Sequence, residues 1–221
     1  MLRTFACAAV ALSLAASAFA GELNDPNNRF RITVPDGWTT EPKPDIDIVA
    51  LIVGSPRKAE TRGNCNVVIA PNQLTGLTQE QIDQQLSAVV SADFWKATLA
   101  KVKEIKSTTI DDWGIREQRG RKVYYVKATS EASAIASLFV TQLMDLYTMP
   151  GQSFAVTCTA RKEFFEREAA DFAAIMASFE PLPDLTVASV RMPRMPVSPR
   201  TIAAQVTIDS AAAGVARALR H

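Results

Sequence analysis

The sequence predicts an α+β domain in which one antiparallel β-sheet is flanked by helices, an α/β/α sandwich. Apolar residues alternate with polar ones along several short segments, and they recur at helical spacing along two longer ones. The predicted order is strands, helix, strands, helix, which is typical of helices packed on the faces of one antiparallel sheet. A chain of 221 residues is long enough for one such domain with additional segments.

The first half of the chain contains three predicted strands and one helix. The strands are residues 30–34, 46–53 and 65–70. The helix begins after Thr78, because Thr78 and Gln81 have the spacing of a capping box, in which each residue satisfies a free backbone N–H at the helix start. Apolar residues then recur at helical spacing as far as Leu99, so the helical pattern is expected to continue to that point.

The second half is predicted to be a meander of short strands followed by a helix. The strands are residues 103–109, 114–118, 122–129, 135–147 and 153–159. Asp111 and Asp112 are expected to form one of the turns between them. Residues 161–178 are predicted to form a helix, because Phe165, Phe172 and other apolar residues make a continuous stripe that would pack on the sheet.

Residues 1–20 are predicted to be a cleaved signal peptide. Arg3 precedes an apolar run over residues 5–16, and Ala18 and Ala20 are small residues placed as a cleavage site requires. The apolar run is shorter than the roughly 20 residues that span a bilayer as a helix. We therefore expect export to the periplasm, with the extracellular space as the second choice.

Export changes what the cysteines are expected to do. Cys7 would leave with the signal peptide, so that Cys65 and Cys158 remain in the mature chain. Both occupy the apolar side of a predicted strand, and an oxidising compartment favours a disulfide between them. The alternative is two buried free thiols. A catalytic redox pair is not predicted, because the chain has no C-x-x-C motif.

Most enzyme classes lack their required residues in this sequence. His221 is the single histidine and the last residue, which excludes the usual hydrolase triads and most catalytic zinc sites. Residues 55–58 match S-x-x-K formally, but S-D-N and K-T-G are absent and Pro56 indicates a loop. There is no phosphate-binding or dinucleotide-binding glycine motif. The sequence therefore predicts a non-enzymatic protein with no catalytic residues, cofactor or metal site.

Two other functions remain open on the sequence alone. The carboxylate pairs Asp45 with Asp47 and Asp111 with Asp112 could hold a cation or carry out acid–base chemistry. The stretch from residue 96 to residue 127 contains nine lysines and arginines against four acids, so it could contact a membrane surface as an adaptor. A formal charge of +1 provides no global field for nucleic acid, and no nucleic-acid partner is expected.

Three short segments resemble a known family. Residues 30–38, FRITVPDGW, resemble the opening strand and turn of the PsbP-like and Mog-type superfamily. Residues 150–158 and residues 175–179 are similar to its closing strand and the end of its last helix. The resemblance covers residues 29–181 and implies an antiparallel sheet between helices in a binding or accessory protein. It brings no catalytic motif with it, and fold analogy alone does not determine function.

The predicted organisation of the chain follows from these segments. Residues 1–20 are the signal peptide, 21–28 a polar lead-in, and 29–181 the PsbP-like α+β domain. Residues 182–221 are expected to be a mobile, proline-rich basic tail, because closely spaced prolines prevent a regular helix or ladder. The function expected is that of an exported periplasmic binding or accessory protein whose partner is an unidentified envelope component.

Overall fold

A computed structural model of the protein describes residues 19–43, 49–133, 135 and 137–182. The greater part of the predicted signal peptide, the pair Asp45 and Asp47, and the tail beyond Leu182 lie outside these residues. Within the described residues, no helix is both long enough and apolar enough to span a bilayer.

The chain forms ten strands and four helices within the described residues. The strands are β1 (Phe19–Asn24), β2 (Phe30–Pro35), β3 (Thr39–Thr40), β4 (Val49–Gly54), β5 (Asn64–Pro71), β6 (Ile105–Gln118), β7 (Arg121–Ala132), β8 (Phe139–Met149), β9 (Gln152–Arg161) and β10 (Glu180–Pro181). The helices are α1 (Lys58–Thr61), α2 (Gln79–Val89), α3 (Ala92–Leu99) and α4 (Phe165–Ser178), with a 3₁₀ turn at Lys162–Phe164.

The predicted fold class is confirmed, because one large antiparallel sheet has helices on both faces. Its seven strands have the order β3-β4-β5-β9-β8-β7-β6, and a three-stranded sheet has the order β1-β2-β10. On one face, α4 and β2 bury the core that includes Phe30, Val156 and Phe172. On the other face, α2 and α3 pack Leu86 and Trp95 against β7 and β8.

The structure contains the disulfide between Cys65 and Cys158 that the sequence predicts. The two cysteines are directly opposite each other on the antiparallel strands β5 and β9, with their Cα atoms 4.0 Å apart. Both side chains are buried in the core under α4. The bond closes a sequence separation of 93 residues, so it joins the two halves of the domain.

The segment from Gly21 to Asn28, expected as a polar lead-in, contributes a strand. Its first four residues belong to β1, which pairs with β2 from Gly21 opposite Val34 to Asn24 opposite Arg31. The turn that follows is stabilised by the buried Asp25, whose carboxylate accepts hydrogen bonds from the Arg29 guanidinium at 2.7 and 2.8 Å. Pairing with β2 gives the backbone groups of this polar segment their hydrogen-bond partners. The sequence pattern alone does not predict this pairing.

The prediction of a turn at Asp111 and Asp112 is wrong. Both residues lie within β6, a continuous strand of 14 residues, at a bulge between Ile110 and Asp112. The partner strand β7 pairs with β6 on both sides of the bulge, so the ladder accommodates one extra residue without reversing the chain. The Asp111 carboxylate accepts a hydrogen bond from the Thr129 hydroxyl at 2.7 Å.

The helical pattern that continues to Leu99 is divided between two helices. The capping box at Thr78 and Gln81 is present at the start of α2, as predicted. Val90 then adopts an extended conformation, with ψ at 123°, and ends α2. The Ser91 hydroxyl accepts a hydrogen bond from the N–H of Phe94 and starts α3, so a second N-cap interrupts an otherwise continuous apolar face.

Candidate functional site

A pocket of about 160 Å³ lies where the hairpin between β6 and β7 meets the end of α4 and β10. Its lining includes Gln118, Arg119, Arg121, Tyr147, Phe179 and Glu180. These residues come from three distant parts of the sequence, and the sheet and helix bring them together. We call this cavity the arginine pocket.

The hairpin turn directs two arginines to the pocket. Arg119 and Gly120 both have positive φ angles, of 52° and 72°, which is the conformation of a tight two-residue hairpin turn. Gln118 and Arg121 are therefore the last paired residues of β6 and β7, directly opposite each other. A turn of this kind fits the right-handed twist of the two strands, so the position of the arginines follows from the hairpin geometry.

Gln118 attaches the hairpin to the end of α4. Its side-chain amide donates hydrogen bonds to the carbonyl oxygens of Met176 at 3.0 Å and of Ala177 and Phe179, each at 3.3 Å. Carbonyl groups at a helix C-terminus have no partner within the helix and need one from elsewhere. The Gln118 side chain supplies it and thereby holds one wall of the pocket in place.

The acidic group of the pocket is already paired, whereas one of its arginines is not. The Glu180 carboxylate accepts hydrogen bonds from Arg31 and Arg119, and the bond from Arg31 is the main reason that its pKa is lowered. The Arg121 guanidinium has no hydrogen-bond or ion-pair partner among the described residues. The pocket therefore contains one guanidinium, that of Arg121, whose positive charge is not paired with a carboxylate of the described residues.

Tyr147 forms a buried part of the pocket wall. The residue is 2% exposed, and its hydroxyl is buried beside the Gln118 side chain. Its ring packs against Phe179 with centroids 4.9 Å apart. Burial raises the pKa of Tyr147, so the phenol stays protonated and remains a hydrogen-bond donor. The hydroxyl has no accessible surface, so Tyr147 contributes its buried ring to the pocket wall rather than a donor to the cavity.

A buried ion pair lies beside Tyr147. Asp145, two residues earlier on β8, is 1% exposed and is paired with the Arg116 guanidinium. Burial raises the pKa of Asp145 to about 6, although the attraction of Arg116 opposes the increase. The Arg116 guanidinium also lies over the Tyr125 ring, 5.3 Å from its centroid. Arg116 is therefore held by Asp145 and Tyr125, unlike Arg121.

Stability is expected to depend on pH through Asp145. Its pKa is higher in the folded state than the ordinary value of 3.8, so the native state retains the proton longer than the unfolded chain does. This residue's contribution to the free energy of unfolding therefore falls as the pH rises from about 4 to about 6. Asp145→Asn removes this dependence. The free energy of unfolding of the variant minus that of wild type should therefore rise by about 1–3 kcal/mol between pH 4 and pH 7.

Urea denaturation of both proteins at several pH values measures this difference. Asp111→Asn, which removes an exposed carboxylate of β6, is the comparison variant, and the pH-dependent gain should be larger for Asp145→Asn. An Asp145→Asn protein whose stability stays parallel to that of wild type over this range would contradict the assignment.

The structure separates the basic residues that the sequence places close together. Four of the nine are paired with acids: Lys106 with Glu131, Arg116 with Asp145, Arg119 with Glu180 and Lys127 with Glu166. The stretch also follows β6 for 14 residues, which is about 45 Å of extended chain. Its charges therefore lie at both ends of the strand, and the Arg119–Arg121 end lines the arginine pocket.

The carboxylate pairs form no metal cluster within the described part of the chain. There, no group of three or more His, Cys, Asp or Glu side chains is arranged to hold a metal ion. Asp111 is engaged with Thr129, and the Asp112 carboxylate accepts a hydrogen bond from the N–H of Trp113. Asp45 and Asp47 lie outside the described residues.

A second buried charge, on α4, was not predicted from the sequence. The Glu168 carboxylate, 0% exposed, accepts hydrogen bonds from the hydroxyls of Ser55 and Thr61 and from the Arg57 guanidinium. Arg57 also pairs with Asp171. Residues 55–58, the formal S-x-x-K match, thus lie at the junction of a loop and α1, where Ser55 contacts a carboxylate rather than a lysine base. This cluster attaches the loop to α4.

The fold of this chain can be compared with the folds of known protein structures. The chain is similar to the solution structure of cyanobacterial PsbP (CyanoP) from Synechocystis sp. PCC 6803, with a TM-score of 0.50 and 13% identity, covering 80% of this chain and 98% of that one. The protein therefore has a PsbP-like fold, as the resemblance in its sequence implied.

A second structure resembles the chain less closely. LpqN, which is involved in cell envelope biogenesis of Mycobacterium tuberculosis, has a TM-score of 0.49 and 8% identity, covering 74% of this chain and 90% of that one. No protein-family model matches the chain. No curated protein matches its sequence either.

Proposed function

We propose that the protein is an exported, non-enzymatic binding or accessory protein that recognises an envelope component through the arginine pocket. Residues 1–20 serve as its signal peptide, and residues 29–181 form the binding domain. Residues 182–221 follow the domain as a proline-rich basic tail. The periplasm is the expected compartment.

Export is supported by the disulfide and by the N-terminal sequence pattern. Disulfides persist in oxidising compartments and are rare in reducing ones. The bond between Cys65 and Cys158 is buried within the sheet and joins strands that are distant in sequence. A folded chain with this bond suits an envelope location.

The observation that carries the binding function is an unpaired guanidinium in the lining of a pocket. Arg121 has no hydrogen-bond or ion-pair partner among the described residues, whereas Arg119 in the same lining is paired with Glu180. An unpaired cation in a concave site favours a ligand group of opposite charge. The pocket contains no nucleophile beside a base, the arrangement that covalent catalysis requires. Its guanidinium and amide groups suit recognition.

Site-specific photo-crosslinking in the native envelope tests this proposal. Ala177 is an exposed residue at the end of α4, beside the carbonyls that Gln118 holds. A photo-reactive amino acid at position 177 should form a discrete adduct with an envelope component. Ala97 is an exposed alanine on α3, on the opposite face of the sheet, and is the matched control position.

The two positions together distinguish a binding pocket from general contact. We expect the adduct from position 177 and none of the same mass from position 97. Adducts of equal yield at both positions, or none at position 177 in protein shown to be exported and folded, would contradict the proposed function.

A further inference from the structure

We propose that β6 pairs with β6 of a second copy of this chain, antiparallel and around a two-fold axis at Gly114. This inference goes beyond the proposed function, which concerns the arginine pocket. In the order of the seven-stranded sheet β6 comes last, and β7 is its one neighbour among the described strands. The side of β6 away from β7, here called the free edge, can therefore pair with a strand of another chain.

The backbone of β6 presents donors and acceptors at the free edge. The N–H of Trp113 donates a hydrogen bond to the Asp112 carboxylate at 2.8 Å, so it points away from β7. In an antiparallel ladder, every second residue directs its N–H and C=O to the same side of the strand. Ile115 therefore also directs its backbone groups to the free edge, whereas Gly114 between them is bonded to β7.

Two large apolar side chains lie exposed at the same place. Trp113 is 39% exposed and Ile115 is 40% exposed. They lie opposite Val126 and Tyr124 of β7, which are buried under α2 and α3, so both side chains are on the helix-covered face of the sheet. Ile110, nearer the start of β6, packs against that core. A further strand at the free edge would bring side chains about 5 Å from Trp113 and Ile115 and cover them.

The sequence of β6 favours a second copy as that strand. A two-fold axis through one residue of β6 keeps the α2 and α3 faces of both copies on the same side of the joined sheet. With the axis at Gly114, Trp113 of each copy lies opposite Ile115 of the other, and the four side chains form one apolar cluster. An axis at Trp113 would place Ile115 opposite Asp111, and an axis at Ile115 would place Trp113 opposite Glu117.

The axis at Gly114 also pairs opposite charges on the other face of the sheet. Asp112 of each copy then lies opposite Arg116 of the other. Arg116 is bound to Asp145, but its side chain is 37% exposed, so guanidinium N–H groups that face water can bind a second carboxylate. On pairing, the N–H of Trp113 exchanges the Asp112 carboxylate for a backbone carbonyl of the other copy. The Asp112 carboxylate is thereby released to bind Arg116.

Other features of the edge limit the pairing to a closed dimer. The bulge between Ile110 and Asp112 ends the regular part of the free edge. Just beyond the paired residues 112–116, Asp111 would face Glu117 of the other copy, and like charges oppose a longer ladder. The Asp111 carboxylate is itself held by a hydroxyl of β7. The opposite edge strand, β3, is two residues long, so the joined sheet offers no comparable edge for further copies among its described strands.

Sedimentation equilibrium of the mature, oxidised full chain tests the association. The contact is smaller than the roughly 1,200–2,000 Å² of stable interfaces, so a reversible dimer is expected between low micromolar and millimolar concentration. Trp113→Lys and Ile115→Lys should each weaken dimerisation by about tenfold or more, because they place charges of the same sign together at the edge. The matched controls are Phe139→Lys and Ile135→Lys, which replace residues outside β6 that are 39% and 41% exposed. They should associate as wild type does.

Hydrogen exchange of single amides, measured by NMR at both ends of this concentration range, tests the register. The amides of Trp113 and Ile115 should exchange more slowly at high concentration, because each then bonds to the other copy. The Gly114 amide, which is bonded to β7, should be equally protected at both concentrations. If one lysine variant fails to fold, the other variant and the exchange of the wild-type amides still test the pairing.

Three results would overturn the inference. A chain that stays monomeric up to millimolar concentration would show that the free edge does not pair with a second copy and is open to a strand of another protein. Equal dimerisation constants for Trp113→Lys and Phe139→Lys would exclude the apolar cluster at Gly114. A dimer in which exchange of the Ile115 amide does not depend on concentration would show that the copies meet at a different surface.

Discussion

Loss of the disulfide is expected to lower the free energy of unfolding by about 4–5 kcal/mol, the value that the chain-entropy model associates with a loop of roughly 100 residues. The bond closes a sequence separation of 93 residues, so its removal frees most of the described chain in the unfolded state. The double variant Cys65→Ala/Cys158→Ala is preferred to a serine variant. Both positions are buried, and a serine hydroxyl there would need a partner.

Urea denaturation of the double variant and of oxidised wild type measures this loss. Wild-type protein that has been reduced and then alkylated also lacks the disulfide and provides a second comparison. The denaturation midpoint should fall in both. An unchanged midpoint in the double variant, together with a two-thiol mass for protein purified from the envelope without reductant, would show that the bond is not part of the native protein.

Substitution of Glu168 should have the next largest effect. Glu168→Ala is expected to destabilise the fold by about 3 kcal/mol, because it leaves Ser55 and Thr61 without their acceptor and removes the buried partner of Arg57. Arg57 is 41% exposed and keeps Asp171, so its own charge can be compensated by that carboxylate and by water. Glu168→Gln should lose less, since its amide oxygen can still accept a hydrogen bond.

Glu166→Ala is the matched control for this prediction. Glu166 is in the same helix, but its side chain is 82% exposed and its ion pair with Lys127 is 3.5 Å long. Exposed ion pairs contribute little, and a change within about 0.5 kcal/mol is expected. Equal unfolding free energies for the Glu168→Ala and Glu166→Ala proteins would mean that the Glu168 cluster does not hold the loop to α4.

The sheet and its covalent link could be predicted because they depend on local patterns. Alternation placed Cys65 and Cys158 on the apolar sides of their strands, and the capping box located the start of α2. Alternation could not show that Asp111 and Asp112 continue a strand. That result depends on β7 pairing on both sides of the bulge, which is a tertiary effect.

The polar clusters were missed for different reasons. Glu168 lies three residues after Phe165 and four before Phe172, on the apolar stripe of α4, and this position signals a buried charge. Asp145 is likewise an acid within a buried strand. The arginine pocket gives no such signal, because Arg121, Tyr147 and Phe179 become neighbours only when the hairpin meets the end of α4.

Photo-crosslinking from position 177 in chains that also carry Arg121→Gln tests most directly whether the protein works by binding through its arginine pocket. The matched chain carries Arg62→Gln, since Arg62 is also half-buried, has no ion pair among the described residues and lies outside the pocket lining. Export and folding of both chains are verified by the presence of the disulfide. The adduct should be lost with Arg121→Gln and retained with Arg62→Gln. An adduct of equal yield in both chains would show that the partner is held elsewhere on the domain.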